Sequence, residues 1–175
     1  RETGSINGRK GKRGKKPISR RREKGRTEES FPMPIYTGRG DKGETDLGSP
    51  DERVSKSSPR VEAYGTVDEL IAVLGRAATK ASEEVASEVK AVQNRLHVMA
   101  VQLADAEGKG NKRVKEKDVE WLEGRIDEHA ENLPDLEGFV LVGGSEAGSA
   151  LHHARTVCRR AERRIVKLNE EEGVN

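Results

Sequence analysis

Residues 36–48 read YTGRGDKGETDLG, and the fold turns on how this stretch is understood. Gly38, Gly40 and Gly43 have the G-x-G-x-x-G spacing of a dinucleotide-binding turn, which would demand an α/β domain. That turn needs a strand before it and a helix directly after it, so that a pyrophosphate meets a helix N-terminus. Here the preceding FPMPIY contains two prolines, and the following ETDLGSPDERVSKSSP is turn-like. The tripeptide Arg39-Gly40-Asp41 recurs by chance and carries little. A different phosphate cradle fits the residue types: glycines let backbone N–H groups converge on an anion. Thr37 and Thr45 add hydroxyls, and Arg39, Lys42 and Lys56 add positive charge. Residue types alone leave a plain surface loop and an anion site both open.

Without a Rossmann unit, the rest of the chain reads as helices. Pro59 suits a first helical turn, and Val61, Tyr64, Val67, Ile71 and Leu74 follow at helical spacing. Residues 83–105 continue the pattern through Val85, Val89, Val92, Leu96, Met99 and Leu103. A third helix is expected over 116–133, with Val119, Leu122, Ile126 and His129 on one face. Ser145 or Ser149 would cap a last helix running to about Glu171. Strand signals are nearly absent and no repeat is visible, so the expectation is an all-α, antiparallel up-down helical bundle.

The 175 residues suit one domain. Residues 1–30 hold 12 Lys/Arg against 4 Asp/Glu, a net of +8, so a total of +2 leaves residues 31–175 at −6. The basic balance therefore belongs to a tail with almost no apolar residues, read as a disordered extension over 1–33. It is either simply solvated or a weak anchor for nucleic acid or an anionic surface. The tail lacks an apolar segment of secretory type, and no apolar run is long enough for a membrane span. Cys158, the single cysteine, excludes an internal disulfide and a Cys-based zinc site, and fits a reducing, cytoplasmic setting.

The second informative segment is LHHARTVCRRAERRIVKL, residues 151–168. On a helical wheel Leu151, Ala154, Cys158, Ala161, Ile165 and Leu168 form an apolar stripe. Arg155, Arg159, Glu162 and Arg163 flank it, while Arg160, Arg164 and Lys167 are expected to face away. The flank is either a row of surface pairs or a set of guanidiniums for a polyanion. Asp68, at the edge of the first helix's stripe, is either solvated or paired with an arginine of another helix or subunit. Cys158 reads as core rather than nucleophile.

Together, YTGRGDKGETDLG, RVSKSSPRVEAYGTVDEL, FVLVGGS and LHHARTVCRRAERRIV resemble, in order and spacing, the PduO-type ATP:cob(I)alamin adenosyltransferases. The resemblance spans 34–175, the expected helical domain. It implies a homotrimer of five-helix bundles with ATP and the corrinoid between subunits, and transfer of the 5′-deoxyadenosyl group of ATP to cobalt with release of triphosphate. It implies that Thr37, Gly38, Arg39, Gly40, Thr45, Asp46 and Lys56 surround the triphosphate. Arg159 would hold the terminal phosphate, with Arg160, Glu162 and Arg163 in the same block and Glu162 positioning Mg2+. Asp68 and Arg155 would pair across the subunit interface, and Phe139 would stand beside the corrin ring. Reduced cobalt is itself a strong nucleophile, so no Ser/His or Cys/His pair is needed, and His97, His129, His152 and His153 need no catalytic role.

Two departures accompany the resemblance. Val142 stands where proline is usual, and the chain stops before the fifth helix of the family, which carries an asparagine that helps hold ATP. A non-catalytic corrinoid carrier or nucleotide sensor on the same scaffold is the alternative function. A reductase and a cobalamin-dependent acceptor enzyme would be the implied partners; nucleic acid ranks last, since stacking aromatics are lacking.

Overall fold

The computed structural model describes residues 36, 38–47, 49–135 and 138–174, the side chains of 49–52 excepted. The expected basic extension over 1–33 lies outside the described residues, as does Thr37. The order of elements is β1 (Glu44–Leu47), β2 (Ser49–Ser55), α1 (Pro59–Ala78), α2 (Glu83–Ala104), α3 (Glu116–Ala130) and α4 (Glu146–Glu172).

Local chemistry sets the helix ends. Ser58 accepts a hydrogen bond from the Val61 N–H and Pro59 opens α1, while Ser82 does the same for α2 through Val85. Of the two serines expected at the last helix, Ser145 is the cap, its Oγ accepting from the Gly148 N–H at 2.9 Å. In α3 the Asp118 carboxylate reaches back to the Lys115 N–H at 3.0 Å.

Cross-helix contacts give the directions. Arg60 near the start of α1 donates to the Leu103 carbonyl at the end of α2, and Gln93 donates to the Ile71 carbonyl, so α1 and α2 are antiparallel. Arg60 also meets Glu172, and Lys80 meets Glu146, so α4 is antiparallel to α1 as well. α2 and α3 are antiparallel through Arg95–Asp118 and Arg125–Glu88. An antiparallel bundle of four helices results among the described residues, as expected.

The core lies where α1 meets α2 and α4. Ala63, Val67, Leu103, Ala161 and Leu168 form one buried group, and Leu70, Ala154 and Val157 a second. Each of the larger side chains contributes about 1.5–3 kcal/mol by leaving water. Arg60 is buried beneath the helix ends, its guanidinium on Glu172 and on the Leu103 carbonyl at 2.8 Å. One side chain thus joins the start of α1 to the ends of α2 and α4.

Three expectations change. The segment after the glycine block is not only a turn: β1 and β2 pair antiparallel, with Thr45 opposite Val54 and Asp46 opposite Arg53. On α4 the buried face runs through Ala154, Val157, Ala161 and Leu168, and Cys158 is exposed on its shoulder. The α4 face packed on α1 is turned toward Val157, which brings Arg160 and Arg164 beside α1 rather than away from it: Arg160 pairs with Glu69, and Arg164 with Glu62 at 3.2 Å. The stripe expected on α3 is uncovered, with Val119, Leu122 and Ile126 all exposed and no residue of α3 buried. α3 is held instead by polar groups: Arg95 lies 3.7 Å over the Trp121 ring, and Glu88 receives both Arg125 and His129, the latter at 2.7 Å.

Candidate functional site

The glycine block is a tight turn leading into a two-stranded ribbon. Gly38 and Gly43 have φ of 69° and 80°, where a Cβ is strained, and each lies in the turn that residues 38–43 make before β1. Gly40 matters for another reason: a Cβ there would come within 2.9 Å of the Lys56 Nζ and displace that ammonium from where it now lies. The cation therefore lies directly against the glycine backbone. The turn is closed where the Lys56 N–H donates to the Gly43 carbonyl at 2.9 Å.

Ionic contacts line one face of the ribbon. Glu44 and Asp46 share that face by the two-residue period of a strand, and Arg53 answers both from β2. Its Nη1 is 2.8 Å from Asp46 and its Nε is 3.2 Å from Glu44. Arg39 reaches the same Asp46 oxygen at 3.1 Å. Thr45 points to the other face by the same alternation, as does buried Leu47. The structure thus brings Gly38, Arg39, Gly40, Thr45, Asp46 and Lys56 into one small cationic turn and ribbon. It adds Arg53, which the sequence reading did not single out. The signal was present: a cation three residues before a lysine, opposite two acids once the hairpin is drawn.

The second group lies on α4. Arg159 pairs with Glu162 at 3.2 Å, and both side chains are more than half exposed. Arg155 and Arg163 are exposed, and among the described residues neither has an ion-pair partner. Arg160 is engaged by Glu69 of α1. Asp68 is exposed on α1 and does not meet Arg155 within the chain. Asp46, Arg53 and Lys56 find their partners within the ribbon and its turn, and Arg159 finds its partner on its own helix. The two cationic groups are therefore each assembled, and among the described residues no hydrogen bond joins Asp46, Arg53 or Lys56 to Arg159 inside one chain.

Apolar surface accompanies them. Phe139 is fully exposed, and Val140, Leu141 and Val142 continue an uncovered apolar run. A groove of about 520 Å³ runs between α1, α2 and α4, with Leu70, Leu96, Met99 and Cys158 in its wall and Arg155 and Glu162 among its lining residues. The Cys158 thiol is pushed up from its ordinary value by desolvation and by the Glu162 charge, against the opposing pull of Arg159. It stays protonated near neutrality and is a poor nucleophile, in agreement with the sequence reading of its chemistry though not of its burial.

Among the described residues no three His, Cys, Asp or Glu side chains cluster as a metal site. Mg2+ bound to a polyphosphate keeps water and phosphate oxygens as ligands and needs only one or two carboxylates. Exposed Glu162 fits such a minor part.

Comparison with known proteins bears directly on this arrangement. A family model described as cobalamin adenosyltransferase matches residues 35–175. The corrinoid adenosyltransferase of Bacillus subtilis is 40% identical, over 82% of this chain and 76% of that protein. Corrinoid adenosyltransferase PduO of Salmonella typhimurium is 43% identical over 81% of this chain, which spans 43% of that longer protein. A variant PduO-type ATP:corrinoid adenosyltransferase from Lactobacillus reuteri, solved with cobalamin and ATP, superposes with a TM-score of 0.76 at 38% identity, covering 81% of each chain. The matched span takes in the glycine turn, all four helices and the arginines of α4. The chain belongs to the cobalamin adenosyltransferase family.

Proposed function

We infer that this protein transfers the 5′-deoxyadenosyl group of ATP to the cobalt of a reduced corrinoid. The observation that carries the inference is the pairing of a glycine turn backed by Lys56, Arg39 and Arg53 with an exposed guanidinium row on α4, in a chain similar to a protein solved with ATP and cobalamin. In the reaction, the electron pair of the reduced cobalt forms a bond to C5′ of ATP. The C5′–O bond breaks, and its electrons leave with triphosphate.

The chain's own residues bind and neutralise the departing group. Backbone N–H groups of the glycine turn and the cations Arg39 and Lys56 face the phosphates, with Thr37 and Thr45 as hydroxyl donors. Arg159 holds the terminal phosphate, and Arg160 and Arg163 add charge along the same helix. Charge developing on a leaving polyphosphate is met by fixed donors, which is where such a site gains rate. Mg2+, when bound, shields phosphate charge, and Glu162 would help hold it. Phe139 supplies an apolar wall for the corrin, which favours loss of the lower axial ligand.

The two cationic groups would meet between subunits of a homotrimer, with Asp68 of one subunit paired to Arg155 of another. That placement is supported by the lack of an ion-pair partner for Asp68 and Arg155 among the described residues. A reductase supplying the electron, a cobalamin-dependent enzyme receiving the product, and a cytoplasmic setting complete the reading. The test is absorbance during incubation with ATP, Mg2+ and chemically reduced cobalamin. Formation of the cobalt–carbon bond with one triphosphate released per corrinoid supports it. Corrinoid binding without triphosphate release would favour a carrier instead.

A further inference from the structure

Arg53 makes three side-chain contacts in the ribbon and its turn, and the third is to a backbone carbonyl. Besides Asp46 and Glu44, its Nη2 donates to the backbone carbonyl of Arg39 at 2.7 Å, fourteen residues away in sequence. That carbonyl belongs to the peptide linking Arg39 to Gly40, in the middle of the glycine turn. A trans peptide sets its N–H opposite its C=O. Drawing the Arg39 carbonyl onto the guanidinium therefore turns the Gly40 N–H the other way. Among the described residues that N–H has no hydrogen-bond partner.

A second consequence concerns charge. Arg39 rests on Asp46 at 3.1 Å, and a carboxylate next to a phosphate site would repel the ligand. Arg53 meets the same carboxylate oxygen at 2.8 Å from the opposite strand. It can go on neutralising Asp46 when Arg39 leaves for an anion.

We propose that Arg53 is a positioning residue for the triphosphate: it aims the Gly40 N–H at the anion and keeps Asp46 neutralised while Arg39 moves to the phosphates. The inference rests on the functional reading above and deepens it. A planar fork with several donors can serve a carboxylate, a second carboxylate and a carbonyl together, whereas an ammonium cannot span the three.

The test uses the full chain and two probes, ATP with Mg2+ and inorganic triphosphate, by calorimetry, with steady-state turnover alongside. Arg53→Gln is expected to weaken both probes roughly tenfold, since the Gly40 N–H is no longer aimed at the anion and Asp46 is no longer neutralised. KM for ATP should rise while kcat at saturating ATP, KM for the corrinoid and the melting temperature hold. Arg53→Lys should recover little. Asp46→Asn, which leaves Arg53 on the Arg39 carbonyl, should weaken ATP less than Arg53→Gln. Equal losses in those two variants would overturn the carbonyl role. Unchanged probe affinity in Arg53→Gln, or a fall in corrinoid affinity and melting temperature matching that for ATP, would overturn the inference while the functional reading stands. If the unsubstituted protein binds neither probe, the functional reading falls and Arg53 loses this role with it.

Discussion

Arg159 and Glu162 lie one turn apart on α4, Nη1 to Oε2 at 3.2 Å, with both side chains more than half exposed. An exposed i,i+3 pair of this kind contributes only a few tenths of a kcal/mol. The guanidinium is thus held loosely and is available to a stronger anion. Arg159→Ala should lower kcat/KM for ATP at least about tenfold, because a charge-assisted phosphate contact contributes about 1.5–3 kcal/mol. The folding midpoint should scarcely move. Unchanged kcat/KM would remove Arg159 from the site.

Among the described residues Asp68 has no ion-pair partner, and neither does Arg155. If they meet across an interface, Asp68→Asn should shift the mass measured by light scattering toward monomer at low concentration. High salt should produce a similar shift in the unsubstituted protein. An Asp68→Asn protein of unchanged mass and turnover would exclude that pairing.

Arg60 is buried and joins three helix ends through Glu172 and the Leu103 carbonyl. Arg60→Ala leaves that carbonyl and a half-buried carboxylate without their donor, a cost of about 2 kcal/mol or more. Urea unfolding should show a lower midpoint with an unchanged slope. A midpoint equal to that of the unsubstituted protein would contradict the linking role.

Glu88 ties α2 to α3, and its carboxyl is held below its ordinary value, chiefly by the His129 hydrogen bond, with Arg125 adding to it against desolvation. A carboxylate lowered on folding stabilises the fold above its unfolded pKa, and that contribution disappears as pH falls through the folded value. Glu88→Gln should therefore be less stable than the unsubstituted protein near pH 6, and the gap should close below the ordinary value of 4.5. Fluorescence of Trp121, the single tryptophan, reports it because Arg95 and Asp118 fix that part of α3 on α2. A gap independent of pH would assign the effect to packing alone.

The helices were legible because their signals are local. Ser58, Ser82 and Ser145 cap apolar periodicities, and the observed ends fall within a few residues of those expected, the third helix stopping at Ala130. The ribbon was not, because β1 and β2 are paired through charges: Arg53 against Asp46 and Glu44 leaves little alternation of apolar and polar residues to read. Cys158 was misjudged for a geometric reason. A wheel shows which residues share a stripe, not which half of the stripe a neighbour covers. α1 covers the half with Val157 and Leu168, and Cys158 is left in the groove. The same turn of α4 carries Arg160 and Arg164 to Glu69 and Glu62, contacts that only the packing of two helices can reveal. The cradle residues were legible by motif, whereas Arg53 needed the strand register to become visible.

The claim that joins these observations is that the glycine turn of one subunit and the α4 arginines of another act on one triphosphate. Subunit mixing tests it most directly. Lys56→Ala and Arg159→Ala proteins, each impaired alone, are unfolded together, refolded as mixed oligomers and assayed for cobalt adenosylation. Activity well above the sum of the two separate proteins is predicted, since some interfaces then carry both intact halves. Mixed oligomers no more active than that sum would contradict a site shared between subunits.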